Sequence, residues 1–246
     1  MNDPFHLHVS PKHTTGVLRG IPEDDFGGEL SARGLSGLAH KIYRNFQDYG
    51  LGITLQKTLA YLLRSIYFQQ VYRIYSIRLD AFRSPVELDN HKFIFKILTP
   101  QNVEMIAQVE NIAEWMRGQL TEAISSGQLC LVALDGDRVA GFNLINFNQA
   151  TLVLVNLQKK LRKGFAWSEH IAVKKEFRKS GLGSQLRFRI FQELKKRGIR
   201  RLYGGTLQSN VASLSLSKSV GFKQISDIHY RKILSFEKWR YERVRA

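Results

Sequence analysis

The chain has 246 residues, 43% of them hydrophobic and 11% aromatic, which is enough for a buried core and too much for wholesale disorder. Its net charge of +16 belongs to one half: residues 1–157 carry 14 Lys/Arg against 15 Asp/Glu, whereas residues 158–246 carry 23 against 6. The single cysteine, Cys130, excludes a disulfide framework, and its apolar setting LCLVAL reads as core rather than nucleophile.

The opening MNDPFHLHVSPKHTTG has neither a basic start nor an apolar stretch, so no secretory signal is expected there. The expected setting is the cytoplasm, with the inner face of a membrane as its one extension. Residues 1–50, rich in Gly, His, Ser and Asp, read as loop with at most a short helix. From Thr54 to Phe82, Leu55, Leu59, Leu62, Leu63, Ile66, Val71, Ile74 and Tyr75 recur at helical spacing and predict an amphipathic helix. Lys57, Arg64, Arg73 and Arg78 interrupt it too often for a membrane span, which needs about 20 mostly apolar residues. Such a helix packs on its own domain or lies flat on an anionic membrane surface. Ser84-Pro85 ends it and puts a boundary near residue 90, leaving residues 1–90 as an N-terminal helical extension.

From there strands and helices alternate. HKFIFKIL (91–98) predicts a strand, and Thr99-Pro100 opens a helical stretch containing Val103, Ile106, Val109 and Ile112. MRGQLTEAISSG predicts a second helix ending at Gly127, and QLCLVALDGDRVAGFNLINF a hairpin around Asp135-Gly136. TLVLV ends or extends a strand, and NLQKKLRKG reads as a basic connector. FAWSEHIAV (165–173) is a further strand. In GLGSQLRFRIFQELKKRG, Leu182, Leu186, Ile190 and Leu194 form one helical stripe, with Lys195, Lys196 and Arg197 before Gly198 at its end. IRRLYGGTL predicts a strand, NVASLSLSKSVG a short helix from Asn210, and FKQISDIHYRKIL closing strands. The order predicts a mixed α/β (α+β) domain over 91–235, followed by a basic tail, 236–246.

The charge favours a polyanionic partner: a phosphate-rich cofactor, nucleic acid or an anionic membrane. RKSGLG, residues 178–183, lies where an apolar strand turns into the long helix. Read alone, it is either a tight packing turn or a cradle in which unpaired amides and the helix dipole hold an anion. It fits neither the Walker nor the dinucleotide glycine pattern.

IAVKKEFRKSGLGSQL resembles the acyl-CoA-binding signature of the GNAT superfamily of N-acyltransferases. A second signature of that superfamily is matched downstream by Asn210, Ser213, Leu216, Gly221 and Phe222. The resemblance covers about residues 91–235. It implies a central, mostly antiparallel sheet with one splayed parallel pair, flanked by helices. It also implies acetyl-CoA, or another acyl-CoA, as co-substrate. Carried over, it places the pyrophosphate on Arg178, Lys179, Ser180, Gly181, Leu182, Gly183 and Ser184. The pantetheine arm would run along Ile171, Ala172 and Val173, with Asn210 beside it. The implied reaction is direct attack of a small-molecule or peptide amine on the thioester.

That reaction needs a base, and Glu169 is the first candidate. Strand alternation puts it on the face of Trp167 and Ile171, where an apolar wall raises its pKa; His170, on the opposite face, is the second choice. Ser217 stands where the family often has a tyrosine acting on the thiolate, so Tyr203, Tyr230 or water is expected to take that role. No metal is expected. An alternative reading is a membrane-peripheral acyltransferase-fold protein acting on lipid-linked substrates or long acyl donors. It rests on 54–82, the connector 159–163 and the basic C-terminal end. Specific nucleic-acid binding lacks any recognition motif.

Overall fold

A computed structural model describes residues 67–83, 92–103, 121–152, 157–234 and 236–244. Ten strands and two regular α-helices are placed among them. The strands are β1 (Tyr67–Arg78), β2 (Ile94–Leu98), β3 (Leu129–Asp135), β4 (Arg138–Asn146), β5 (Gln149–Leu152), β6 (Leu157–Lys160), β7 (Phe165–Val173), β8 (Arg201–Leu207), β9 (Lys223–Ile233) and β10 (Phe236–Arg243). The helices are α1 (Leu182–Lys196) and α2 (Val211–Ser219). Eight strands form one sheet in the order β10-β9-β1-β8-β7-β4-β3-β2, while β5 and β6 pair separately. Only β7 and β8 run parallel; every other pair in the sheet is antiparallel.

The helix expected over 54–82 is not formed over its second half. Residues 54–66 lie outside the described residues, but Tyr67–Arg78 is strand β1, inserted between β8 and β9. A central strand is covered on both faces, so apolar residues need not alternate and can mimic a helical period. Here Ile74 packs into one face of the sheet while Tyr75 and Ile77 pack into the other. Aromatic and β-branched side chains dominate the stretch, as suits a strand. The boundary near residue 90 therefore does not separate this segment from the sheet.

Two further expectations change. The basic connector forms β6, which pairs with β5 from Leu152↔Leu157 to Gln149↔Lys160. The basic tail forms β10, antiparallel to β9 at one edge, where Lys238, Arg240 and Arg243 discourage further pairing. The hairpin around Asp135-Gly136 forms as read, with Gly136 at φ 61°. The stretch after Pro100 lies largely outside the described residues, and a helical turn over 121–125 precedes Gly127.

Helix α1 holds one face of the sheet together. Leu186, Ile190, Phe191 and Leu194 are fully buried against Ala140, Ile145, Ala166 and Leu202. Each such side chain contributes about 1.5–3 kcal/mol by burial. The helix stops at Gly198 (φ 73°), where Ile199 N–H donates to the Leu194 carbonyl and Gly198 N–H to that of Lys195. On the other face, Trp167, Tyr203, Ile74 and Ile228 pack with Ala150 and Leu152 of the β5–β6 hairpin. Cys130 is fully buried beside Val132 and Phe142, and burial pushes its thiol up to about 12, as a core residue requires.

Candidate active site

The parallel pair separates within its own length. β7 and β8 are in register from Phe165↔Arg201 to Ser168↔Gly204 and no further, although β7 continues to Val173 and β8 to Leu207. Beyond Ser168 the edge of β7 that faced β8 has no strand partner among the described residues, while its other edge stays paired with β4 through Gly141↔Val173. The backbone of Ile171, Ala172 and Val173 is thus half-open, and Arg178 Nε donates to the Val173 carbonyl at 3.2 Å.

The separation coincides with a bulge. His170 pairs with Leu144 and Ser168 with Ile145, so Glu169 is left without an opposite residue. The bulge also reverses the alternation. Trp167 pairs with Asn146 and His170 with Leu144, two residues apart on one strand, so both point to the same face. Ile171, by contrast, packs into the α1 face. The expected sharing of one face by Trp167 and Ile171, with His170 opposite Trp167, is corrected by this single extra residue.

Glu169 accepts a hydrogen bond from the Thr151 side chain, and its Oε2 is buried with no partner among the described residues. Burial raises its pKa to about 7, the Thr151 bond opposing the shift. Tyr72 of β1 feels the Glu169 charge, and its own pKa is raised, chiefly by burial. A Cβ at Gly205 would collide with the Tyr72 ring, so the glycine makes room for this tyrosine beside the split. Burial lowers the pKa of His170, favouring neutral imidazole.

A cleft of about 170 Å³ opens at the split, lined by Ser168, Glu169, His170 and Ile171 of β7 and by Gly204, Gly205 and Thr206 of β8. Tyr75 of β1, Arg187 of α1, and Asn210, Ser213, Ser217 and Phe222 complete it. Arg187 is 6% exposed, donates from Nη1 to Ser168 Oγ at 2.5 Å, and lies 5.4 Å from the Phe222 ring centre. Burial pulls its pKa down to about 10. Asn210 caps α2, its Oδ1 accepting from Ser213 N–H at 3.0 Å. Neither Tyr203 nor Tyr230 lines the cleft.

The loop before α1 lies just outside this lining. Lys179 (φ 64°) and Gly181 (φ 81°) both adopt left-handed backbone. Ser180 Oγ donates to the Phe177 carbonyl at 2.6 Å. The first helical bond runs from Gln185 N–H to the Gly181 carbonyl, 3.1 Å, so the amides of Leu182, Gly183 and Ser184 have no acceptor within the helix. The two glycines do different work. A Cβ at Gly181 would meet nothing within 4 Å, whereas one at Gly183 would press on Leu216 of α2 at 3.2 Å. Open space, free amides and the exposed Arg178 and Lys179 suit a phosphate group; the half-open strand suits an extended amide-bearing arm.

The sequence reading singled out Glu169, Ile171 and Asn210, which line the cleft, and Ala172, Val173 and Arg178–Ser184, which do not. It missed Tyr72 and Tyr75, because β1 was read as helix, and Thr151, because the β5–β6 hairpin was not recognised. It also missed Arg187, although a charged residue four after Gly183 and three before Ile190 falls on the inward side of α1.

A model of the "Acetyltransferase (GNAT) family" matches residues 91–222. No curated protein sequence matches the chain. Similar solved structures include a GCN5-related N-acetyltransferase from Sphaerobacter thermophilus, 16% identical, covering 73% of this chain and 56% of its own, with TM-score 0.51. A glucosamine N-acetyltransferase region of a fungal multi-domain β-N-acetylglucosaminidase is 15% identical, covering 70% of this chain and 22% of that one, with TM-score 0.53. A Drosophila protein is 15% identical, covering 74% and 58%, with TM-score 0.50. The chain thus spans about half of two of these proteins and a fifth of the third.

Proposed function

Because the chain belongs to the GNAT acetyltransferase family, we propose that it transfers an acetyl group from acetyl-CoA directly to an amine of a small molecule or peptide. The observation that carries the reading is the divergence of β7 and β8 beyond Ser168↔Gly204, with the buried, partly unpaired carboxylate of Glu169 at the point of divergence. The amides of Leu182–Ser184, with Arg178 and Lys179, hold the pyrophosphate; the open edge of Ile171–Val173 aligns the pantetheine arm. Acetyl-CoA, when bound, supplies the thioester carbonyl that the amine attacks. Glu169, with a pKa near 7, takes the proton from the incoming ammonium or amine directly or through one water. In this reading an amide of Ala172 or Val173 donates to the carbonyl oxygen as charge develops on it.

Calorimetric titration with acetyl-CoA at low salt tests this reading, and absence of binding overturns it. Gly181→Glu puts a carboxylate into the open space at the free amides and is expected to abolish binding. Gly181→Ala is the control for backbone strain at φ 81°: it keeps binding within a fewfold and costs about 1 kcal/mol of stability. Equal affinity of Gly181→Glu and wild type would move the phosphates elsewhere.

A membrane-peripheral reading loses support. β1 takes the second half of its amphipathic segment, and strands β6 and β10 take its two basic stretches. Among the described residues no helix is long and apolar enough to cross a membrane.

A further inference from the structure

The guanidinium of Arg187 lines the cleft, and among the described residues no carboxylate forms an ion pair with it. Its hydrogen-bond acceptor among the described residues, Ser168 Oγ, is neutral and itself donates to Asn143 Oδ1 at 3.4 Å. Its Nε is buried without a partner. Holding a cation this way costs several kcal/mol, a cost that an anion brought into the cleft would offset. Glu169 does not fill that place; it turns to Thr151 and Tyr72 on the other face of the sheet. Beside Arg187 the α2 wall offers only Ser213 and Ser217, whose hydroxyls are too weakly acidic to supply a proton to a thiolate.

We propose that Arg187 is the group that stabilises the departing thiolate of coenzyme A, receiving the negative charge in the cleft between α1 and α2. The inference rests on the acetyltransferase reading given above. In the step, the amine nitrogen forms the C–N bond, the C–S bond breaks, and its electron pair stays on sulfur. The amine attacks as the free base, and the one proton it sheds after the C–N bond forms goes to Glu169; none passes from Arg187, whose positive charge offsets that of the sulfur until the thiolate takes a proton from solvent on release. Ser168 and the Phe222 ring fix the guanidinium plane.

The test needs no acceptor. The pH titration of the coenzyme A thiol is followed in the complex by ultraviolet thiolate absorbance. The complex with desulfo-coenzyme A is subtracted to cancel Tyr75, Cys130, Glu169 and His170, and calorimetry on the same samples reports occupancy. In wild type the thiol should titrate about 1–3 pH units below free coenzyme A. In Arg187→Met it should return to the free value or above it, with coenzyme A still bound, and Arg187→Lys should keep part of the lowering. An unlowered thiol in occupied wild type, or the same lowering in folded Arg187→Met, overturns the assignment of Arg187 alone. Failure of wild type to bind coenzyme A overturns the acetyltransferase reading, and this one with it.

Discussion

Glu169 owes its setting to where one extra residue falls. Because burial raises its pKa to about 7, the catalytically useful carboxylate appears only as pH rises through neutrality. We expect kcat/KM to climb with an apparent pKa near 7 and then level, and Glu169→Gln to lose about 10²–10⁴-fold in rate together with that limb. The same shift has a stability consequence of definite sign. Between about pH 4.5 and 7 the folded state holds a proton that the unfolded state has released, so stability falls with rising pH, by up to about 3 kcal/mol. Glu169→Gln should flatten that fall in urea titrations at pH 5 and pH 8; an unchanged fall would show that another group causes it. The candidate base was legible only through the family resemblance, which points to the glutamate four residues before Val173. The faces of His170 and Ile171 were not, since a bulge leaves no local signature and strict alternation assigns both to the wrong sides.

Elements show the same division. α1 and α2 could be read from one chain because their signals are local: a stripe at 3–4 spacing closed by Gly198, and an asparagine cap at Asn210. β1 could not, because what makes Tyr67–Arg78 a strand is its pairing with β8 and β9, both distant in sequence. That pairing yields a sharp prediction. A chain begun at residue 91 contains the whole segment matching the family but leaves β8 and β9 without the strand between them. It is expected to be insoluble or to lack a cooperative thermal transition, whereas a chain retaining β1 should melt cooperatively. Equal cooperativity of the two would mean that β8 and β9 close on each other.

For the molecule as a whole, charge and site coincide. The excess of 23 Lys/Arg over 6 Asp/Glu lies in residues 158–246, the half of the chain that also carries the α1 N-terminus and most of the cleft lining. A field of that sign gathers a polyphosphate ligand and is screened beyond about 10 Å at ~0.1 M salt. Affinity for acetyl-CoA should therefore fall about tenfold between ~0.05 and ~0.5 M salt, chiefly through a slower association rate in stopped-flow. A salt-independent association rate would confine the charge effect to the residues touching phosphate.

Strand β1 also sets a timetable for synthesis. Tyr72 pairs with Leu207 and Tyr67 with Ile233, so each partner leaves the ribosome only after another 135 and 166 residues have been added. At about 5–20 residues per second, an aromatic strand with two bare edges waits on the order of ten seconds for its neighbours. The wall that carries Tyr72 and Tyr75 is made among the first and seated among the last. In a growing chain this wall is the part most exposed to chaperones and to misassociation.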